Sequence, residues 1–225
     1  MAALQGCLRR AEGFVYNPRW FKEERVDVLQ DEVNRVSFGT IITNAKSGIM
    51  ASHVPMLIDR SRGELGTMFG HVARGNLQWR DSLPEGQGLA VFLGPDAYIS
   101  PSWYKTKQET GMVVPTWNYI AIHVRGPVSF FEDKERLRGI VTKLTGHHEA
   151  DSTKPWHVTD APAEYVEGEL KQIVGFEMLI SKIEGKWKMS QNRRAEDRAG
   201  AATGLETDGR REVAELIRAL STPPS

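Results

Sequence analysis

The chain has 225 residues, of which 40% are hydrophobic and 26% are charged, and these values are typical of a folded globular domain. Its 29 lysines and arginines balance its 29 aspartates and glutamates, so overall charge gives no reason to expect nucleic-acid binding. The single cysteine, Cys7, excludes a disulfide framework or a cysteine-based metal site within one chain, and a reducing, cytoplasmic compartment is expected.

Both ends of the sequence are expected to lie outside the folded domain. The opening MAALQGCLRR lacks an apolar core long enough for a secretory signal, and no run of 18 apolar residues predicts a membrane span. We expect residues 1–13 to form a flexible extension, residues 14–221 a single domain that ends in a helix, and residues 222–225 a disordered tail.

The spacing of apolar residues predicts the elements between these ends. In chain order they are a helix at 23–36, strands at 38–43, 49–58, 65–72 and 89–93, a long irregular segment at 94–115, a strand at 116–131, helices at 134–144 and 164–173, a strand region at 176–189 and a helix at 206–220. The irregular segment is long for a compact domain, and such loops are often functional.

Proline and glycine mark three strands as interrupted. Pro55 indicates an edge position or a bulge, Gly126-Pro127 predicts a bend, and Glu184-Gly185 predicts a break in the last strand region. Six or seven strands without regular β-α alternation favour an antiparallel barrel or sheet with peripheral helices. The sequence therefore predicts a mainly β fold of the α+β class.

The stretch GHVARGNLQWRDS, residues 70–82, places three polar side chains at the end of a predicted strand. His71 is a residue type that ligates a metal or heme iron, Arg74 suits phosphate or carboxylate, and Asn76 can bond to the edge of a ring. A simpler interpretation is that Asn76 caps a short helix and Arg74 pairs with a surface carboxylate. The spacing alone leaves both interpretations open.

Aromatic and cationic residues alternate in AYISPSWYKTKQETGMVVPTWNY, residues 97–119. Trp103, Trp117 and Tyr119 offer faces for stacking against a planar ring, and Lys105 can meet a phosphate or propionate. The alternative is a surface loop folded over the barrel, with its aromatic residues as plugs.

A third polar stretch is GKWKMSQNRRAEDR, residues 185–198. Lys186 and Lys188 share one face of a strand because side chains alternate, and Ser190, Gln191 and Asn192 follow as hydrogen-bonding groups. These residues can hold a phosphate-bearing cofactor, or they can form a solvated basic edge that discourages strand pairing.

Five motifs occur together in a fixed order, and the combination is far more specific than any one of them. They are ASHVP at 51–55, GHVARGN at 70–76, VFLGPDAYISPSWYKTK at 91–107, VPTWNYIAIHVRG at 114–126 and KWKMSQNR at 186–193. This order resembles the PaiB-type family of FMN-binding negative transcriptional regulators, from about residue 16 to about residue 205. Residues 1–13 fall outside the pattern.

The resemblance implies an FMN-binding split β-barrel that forms homodimers. FMN is the favoured cofactor, with Arg74, Lys105, Lys188, Ser190 and Asn192 expected at its phosphate and Trp103, Trp117 and Tyr119 at its ring. The complete set of expected cofactor-binding residues is His71, Arg74, Asn76, Trp103, Lys105, Trp117, Asn118, Tyr119, Lys188, Ser190, Gln191 and Asn192. An enzyme of this kind would be a flavin- or heme-dependent oxidoreductase, because the cofactor carries the redox chemistry.

Two other hypotheses compete with flavin binding. A related branch, the heme-dependent piperazate synthases, is similar in the GH and HVRG segments, and that likeness implies heme with His71 as axial ligand. The present sequence departs from that branch around the aromatic loop and at Asn192. A transcriptional regulator acting on DNA is the other hypothesis, for which residues 182–198 and Arg210-Arg211 form the candidate basic surface.

Overall fold

The computed structural model describes residues 15–83 and 86–220, and the predicted N-terminal extension and C-terminal tail lie outside this part. The strands are β1 (Lys22–Glu23), β2 (Phe38–Ala45), β3 (Gly48–Asp59), β4 (Thr67–Ala73), β5 (Gln87–Ile99), β6 (Thr116–Phe131), β7 (Ile173–Leu179) and β8 (Lys182–Lys188). The helices are α1 (Val26–Val36), α2 (Gln78–Asp81), α3 (Lys105–Thr110), α4 (Lys134–His148), α5 (Ala163–Leu170), α6 (Ala195–Thr207) and α7 (Arg211–Ala219). None of the described helices is both long and apolar enough to cross a membrane.

The strands form an antiparallel barrel with two extra strands at one side. Their order is β1-β8-β6-β5-β2-β3-β4-β7, and β7 also pairs with β6, which closes a ring of six strands. We call β8, β6, β5, β2 and the first part of β3 the first sheet, and the second part of β3, β4, β7 and the end of β6 the second sheet.

The long strand β6 belongs to both sheets because it changes partner at its predicted bend. Residues 119–125 pair with β8, whereas residues 128–131 pair with β7. Gly126 lies at the change, where an added Cβ would be 2.0 Å from the carbonyl oxygen of Leu179. The predicted bend at Gly126-Pro127 therefore marks the passage from one sheet to the other.

The barrel interior is filled by side chains that alternate along each strand. Met56, Met68, Phe92, Ile122 and Phe176 are at most 1% exposed and belong to one apolar cluster. Helix α1 contributes Leu29 and Val33 to this cluster, and α6 and α7 contribute Ala201, Ala202, Leu205, Val213, Ala214 and Ile217.

Helices α4 and α5 cover the outer face of the second sheet. Ile140 and Leu144 of α4 pack with Leu57 and Phe69 of the sheet, and Phe131 lies against them. Leu137 of α4 packs with Val166 and Leu170 of α5.

The prediction of a long irregular segment at 94–115 is wrong. Strand β5 continues to Ile99 through an irregularity in its pairing with β6 between Leu93 and Asp96, and a 3₁₀ turn at Pro101–Trp103 and helix α3 follow. Gly94-Pro95 obscured the continuation, although a bulge accommodates a proline that cannot donate to the sheet.

Two other predicted boundaries are also wrong. The strand region 176–189 divides near Ser181, and Gly185 lies inside β8 because Leu29 and Trp187 pack where a side chain would be. The helix predicted at 206–220 is two helices, and Gly209 between them has a φ of 75°. That left-handed conformation suits glycine and ends α6.

Pro55 lies where β3 also changes partner. It is paired with Phe38 of β2, and the next residue, Met56, pairs with Gly70 of β4. The missing N–H of proline thus falls at the boundary between the two sheets.

Candidate functional site

The structure divides the twelve predicted cofactor-binding residues into two groups. His71, Arg74 and Asn76 lie at the end of β4, and the other nine lie near the start of β6 and the end of β8. His71 pairs with Gly175, which pairs with Phe131 at the end of β6. Fourteen residues of β6 separate Phe131 from Trp117, which is about 45 Å of strand at about 3.3 Å per residue. The two groups therefore lie at opposite ends of β6, which passes from one sheet to the other between them.

His71 lies on the outer face of the second sheet, the face that α4 covers. His71 is two residues after Phe69 on β4, so the two side chains point to the same side of the sheet, and Phe69 packs against α4. Burial lowers the pKa of the His71 imidazole below its usual value. Its Nδ1 atom is buried and has no hydrogen-bond partner among the described residues. Burial thus favours the neutral form of the imidazole over the charged form.

Arg74 and Asn76 make local contacts that fix the turn after β4. Arg74 forms an ion pair with Glu132. The Asn76 side chain accepts a hydrogen bond of 2.9 Å from the backbone N–H of Gln78 at the start of α2 and donates one of 2.6 Å to Ser52 Oγ. An ion pair and local hydrogen bonds thus account for the polar side chains of both residues in this chain.

The outer face of the first sheet is open, in contrast to that of the second. Side chains of β2, β3, β5 and β6 point outward here, and we call this surface the open face. Its large apolar residues that are 48% to 79% exposed are Phe38, Ile49, Leu93, Tyr98 and Trp117. An exposed apolar surface of this kind marks an interaction site more often than chance exposure.

One end of the open face carries Trp117, Tyr119, Lys186 and Lys188, which we call the aromatic–lysine cluster. Tyr119 of β6 is directly opposite Lys188 of β8, and Lys186 is two residues away on the same face. The Nζ atoms of Lys186 and Lys188 lie 5.4 Å and 6.0 Å from the centroid of the Tyr119 ring. The strand pairing therefore joins residues about 70 positions apart in the sequence into one surface.

The cluster is positively charged. Burial lowers the pKa of the Lys188 ammonium, and the charges of Lys186 and Arg193 lower it further. Lys188 Nζ donates 2.6 Å to Thr116 Oγ1, and Lys186 Nζ donates 3.0 Å to the carbonyl of Tyr16. A bound anion would relieve the repulsion between these cations, because an opposite charge favours the protonated form.

The remaining predicted residues of this group shape the turn after β8 or lie at its surface. Buried Asn118 donates 3.0 Å to Ser190 Oγ, and Ser190 has a φ of 65°. Gln191 donates 2.6 Å to the carbonyl of Trp187. Asn192 and Lys105 are exposed. Asn118, Ser190 and Gln191 thus hold the backbone, and of these five residues only Asn192 and Lys105 are available to a ligand without rearrangement.

A cleft of 640 Å³ lies beside the cluster, between the end of β5, the start of β6 and the turn from α6 to α7. Its lining residues are Ala97, Tyr98, Ser100, Trp103, Trp117, Leu205, Asp208 and Arg210. The Tyr98 and Trp117 rings meet edge to face at 6.2 Å. Trp117 thus forms a wall shared by the cleft and the aromatic–lysine cluster.

Two kinds of residue at this end were missing from the predicted set. Lys186 could have been included, because the KWK alternation places it on the same face as Lys188. Tyr98 and Arg210 could not, because their approach to Trp117 depends on strand pairing and on the turn after α6. Among the described residues, no group of three or more His, Cys, Asp or Glu side chains is arranged to hold a metal ion.

Residues 15–182 match a protein family described as "Putative FMN-binding domain". The chain belongs to this family. A curated relative, the Protease synthase and sporulation protein PAI 2 of Bacillus subtilis, is 32% identical over 206 residues, which cover 90% of this chain and 96% of the relative. The resemblance to the PaiB-type family is therefore confirmed.

Solved structures share the fold of this family member at low sequence identity. The FAD and heme binding protein of Mycobacterium smegmatis matches with a TM-score of 0.54 and 12% identity, covering 74% of this chain and 73% of that one. A conserved hypothetical protein of Mycobacterium tuberculosis matches with a TM-score of 0.53 and 12% identity, covering 80% and 94%. The predicted mainly β, α+β split barrel with peripheral helices is confirmed.

Proposed function

We propose that this protein binds flavin mononucleotide at the aromatic–lysine cluster and pairs with a second copy through the open face. The observation that carries the proposal is the position of half-buried Lys188 and buried Lys186 beside the half-buried Tyr119 ring and the exposed Trp117, at the edge of an uncovered apolar sheet. Membership of an FMN-binding family supports the choice of cofactor.

The chemistry of the cluster fits the two ends of FMN. Each lysine ammonium has three donors. Lys186 uses one for the Tyr16 carbonyl and Lys188 uses two, for Thr116 Oγ1 and the Trp117 carbonyl, so each keeps at least one N–H group for a phosphate. Trp117 and Tyr119 offer ring surface for the isoalloxazine. When bound, a flavin supplies hydride or electron transfer. The chain's own residues would hold the phosphate, orient the ring and exclude water from it.

The other predicted phosphate ligands are placed less favourably. Arg74 is paired with Glu132, and it lies with His71 at the far end of β6. The proposal therefore places the phosphate at Lys188 and Lys186, at the other end of β6. Most homodimers have two-fold symmetry, in which the same surface of each copy meets its counterpart. Pairing the open face of one copy with the open face of a second would follow this symmetry and remove the exposed apolar residues from water.

Heme is the less favoured cofactor. An axial bond from His71 would place heme on the face of the second sheet that α4 packs against. The FAD and heme binding protein of Mycobacterium smegmatis has this fold, but a likeness at 12% identity does not extend to a ligand. The open face with its lysines suits a phosphate-bearing cofactor better.

A regulatory role through direct DNA contact gains little support from the charges. In the segment 182–198, Lys182 pairs with Glu184, and Arg194 pairs with Glu109 and Glu196. These ion pairs engage two of the six lysines and arginines of the segment, whereas binding along a duplex depends on many contacts to phosphates. A regulatory role would then act through the cofactor or through another protein.

The proposal is tested by titrating the protein with FMN and with riboflavin, which lacks the phosphate, and following flavin fluorescence. We expect Lys188→Met to weaken FMN binding about tenfold, since a hydrogen bond to a charged group contributes about 1.5–3 kcal/mol. Riboflavin binding should change little.

Lys182→Met is the matched control, because Lys182 lies on the same strand and face but pairs with Glu184. It should leave both affinities unchanged. Equal binding of FMN and riboflavin by the unaltered protein would contradict the phosphate assignment. A Soret band that develops with hemin and is lost in His71→Ala would favour heme instead.

A further inference from the structure

The cleft beside the aromatic–lysine cluster has the composition of a second ligand site. Three aromatic residues, Tyr98, Trp103 and Trp117, line it together with Asp208 and Arg210. Its volume of 640 Å³ lies within the range of small-molecule pockets, about 300–1,000 Å³. Aromatic walls with a few charged groups are the usual lining of such pockets.

The fold holds the Trp103 wall in place through two glycines of α6. An added Cβ at Gly204 would lie 2.3 Å from the Trp103 ring, and one at Gly200 would lie 2.0 Å from the Trp103 carbonyl oxygen. The helix therefore approaches this tryptophan as closely as a bare backbone allows. The position of the Trp103 ring is fixed before any ligand arrives, which lowers the entropic cost of stacking on it.

Arg210 is the cation of the cleft, and it differs from neighbouring arginines in its contacts. Arg218 forms a two-pronged ion pair with Glu206, and Arg194 pairs with Glu109. Arg210 forms no salt bridge with any described residue, including Asp208 of the same cleft. A guanidinium without a carboxylate partner, next to aromatic faces, suits a carboxylate or phosphate carried by a flat ring.

We propose that this cleft binds a planar aromatic anion, a ring that stacks against Trp103 and Trp117 and carries a carboxylate or phosphate directed to Arg210. Asp208 would accept a hydrogen bond from a donor on the same ring. The site is separate from the phosphate position on Lys186 and Lys188 and shares only the Trp117 wall with it. The inference does not depend on flavin binding.

The test uses 2-naphthoate as the anionic probe and 2-naphthamide as its uncharged counterpart, titrated calorimetrically into the full-length protein. We expect the unaltered protein to bind naphthoate at least about tenfold more tightly than naphthamide, because only the carboxylate can form a charge-assisted hydrogen bond with Arg210. Arg210→Ala should remove that preference. Trp117→Ala should weaken both probes alike, because the stacking surface is common to them.

Arg211→Ala is the matched control, since Arg211 is the next residue and does not line the cleft. It should retain the preference for naphthoate. An equal loss in Arg210→Ala and Arg211→Ala would mean that general charge attracts the probe, and the site assignment would be wrong. Binding of choline in place of naphthoate would show that the aromatic walls select cations, which also overturns the proposal.

A repeat at saturating FMN separates this inference from the proposed function. Unchanged naphthoate affinity with FMN present supports two adjacent sites. Competition between FMN and naphthoate would assign the cleft to the flavin ring and overturn a separate site. If the protein binds no flavin, the naphthoate titration still decides the cleft on its own.

Discussion

The outer faces of the two sheets carry similar apolar residues, but helices cover one face and leave the other exposed. On the second sheet, Leu57 and Phe69 are buried because Ile140 and Leu144 of α4 pack on them. On the first sheet, Leu93 and its apolar neighbours face outward with no described helix over them. The same strand pattern thus leads to an internal core on one side and to an exposed surface on the other.

The charges of the two faces differ in the same way. On the second sheet, Arg62 and Arg136 pair with Glu177, and the hydrogen bond from Lys143, with a smaller contribution from Ser61, lowers the pKa of Asp59 to about 2. On the first sheet, Lys186 and Lys188 crowd together and their repulsion helps to lower the pKa of Lys188. The cations named on the covered side are paired with carboxylates, whereas Lys186 and Lys188 on the open side form no ion pair with a described carboxylate.

The largest effect on stability should come from shortening an apolar side chain that α4 and α5 bury. Leu137 is fully buried between α4 and α5, so Leu137→Ala should lower the free energy of unfolding by about 2–5 kcal/mol, through lost burial and the cavity left behind. Leu93→Ala removes the same atoms from the open face and should change it by less than about 0.5 kcal/mol. Urea denaturation at low protein concentration measures both. A comparable loss from the two variants would mean that Leu93 is covered and that the comparison of the faces is wrong.

A charged residue introduced on the open face should weaken dimer formation without lowering the stability of the fold. Leu93→Asp places a carboxylate in the proposed dimer interface, and we expect the dimer to dissociate at concentrations where the unaltered protein is paired. Light scattering across a dilution series gives the mass, and thermal unfolding checks that the fold is kept. Leu77→Asp is the control, because Leu77 is 58% exposed but lies in the turn before α2. A monomeric unaltered protein would contradict the proposed pairing.

Local sequence patterns predicted the parts of the fold that depend on one element at a time. The strand at 116–131 and the helix that starts at Lys134 were predicted correctly, because the apolar alternation of the strand continues through the bend at Gly126-Pro127 and the helix keeps a regular apolar spacing. The continuation of β5 to Ile99 was missed because Gly94-Pro95 is compatible with a loop, and only the pairing with β6 makes it part of a strand. Boundaries that depend on a partner strand cannot be read from one segment.

The candidate site follows the same rule. The lysine alternation in β8 was visible in the sequence, and the structure places it beside Tyr119. The grouping of His71 with Trp117 depended on the barrel's topology, which separates them along β6. Motif order identifies the family, but it does not give the distances between motifs.

The smallest effect on stability concerns two partly buried histidines, His71 on the covered face and His123 on the open face. Burial lowers the pKa of His71 and, together with Arg125, that of His123, so the unfolded chain binds protons that the folded one does not. Stability should therefore fall as the pH drops below about 6.5, by at most about 1.4 kcal/mol per pH unit for each histidine, and level off below its folded pKa. His71→Gln should flatten this slope at any protein concentration, because α4 covers that face in the monomer. His123 lies on the open face, so the effect of His123→Gln on the pH dependence of stability should grow as the protein associates. Chemical denaturation between pH 5 and pH 8 at two protein concentrations measures both, and a concentration-dependent effect at His71 would reverse the assignment of covered and open faces.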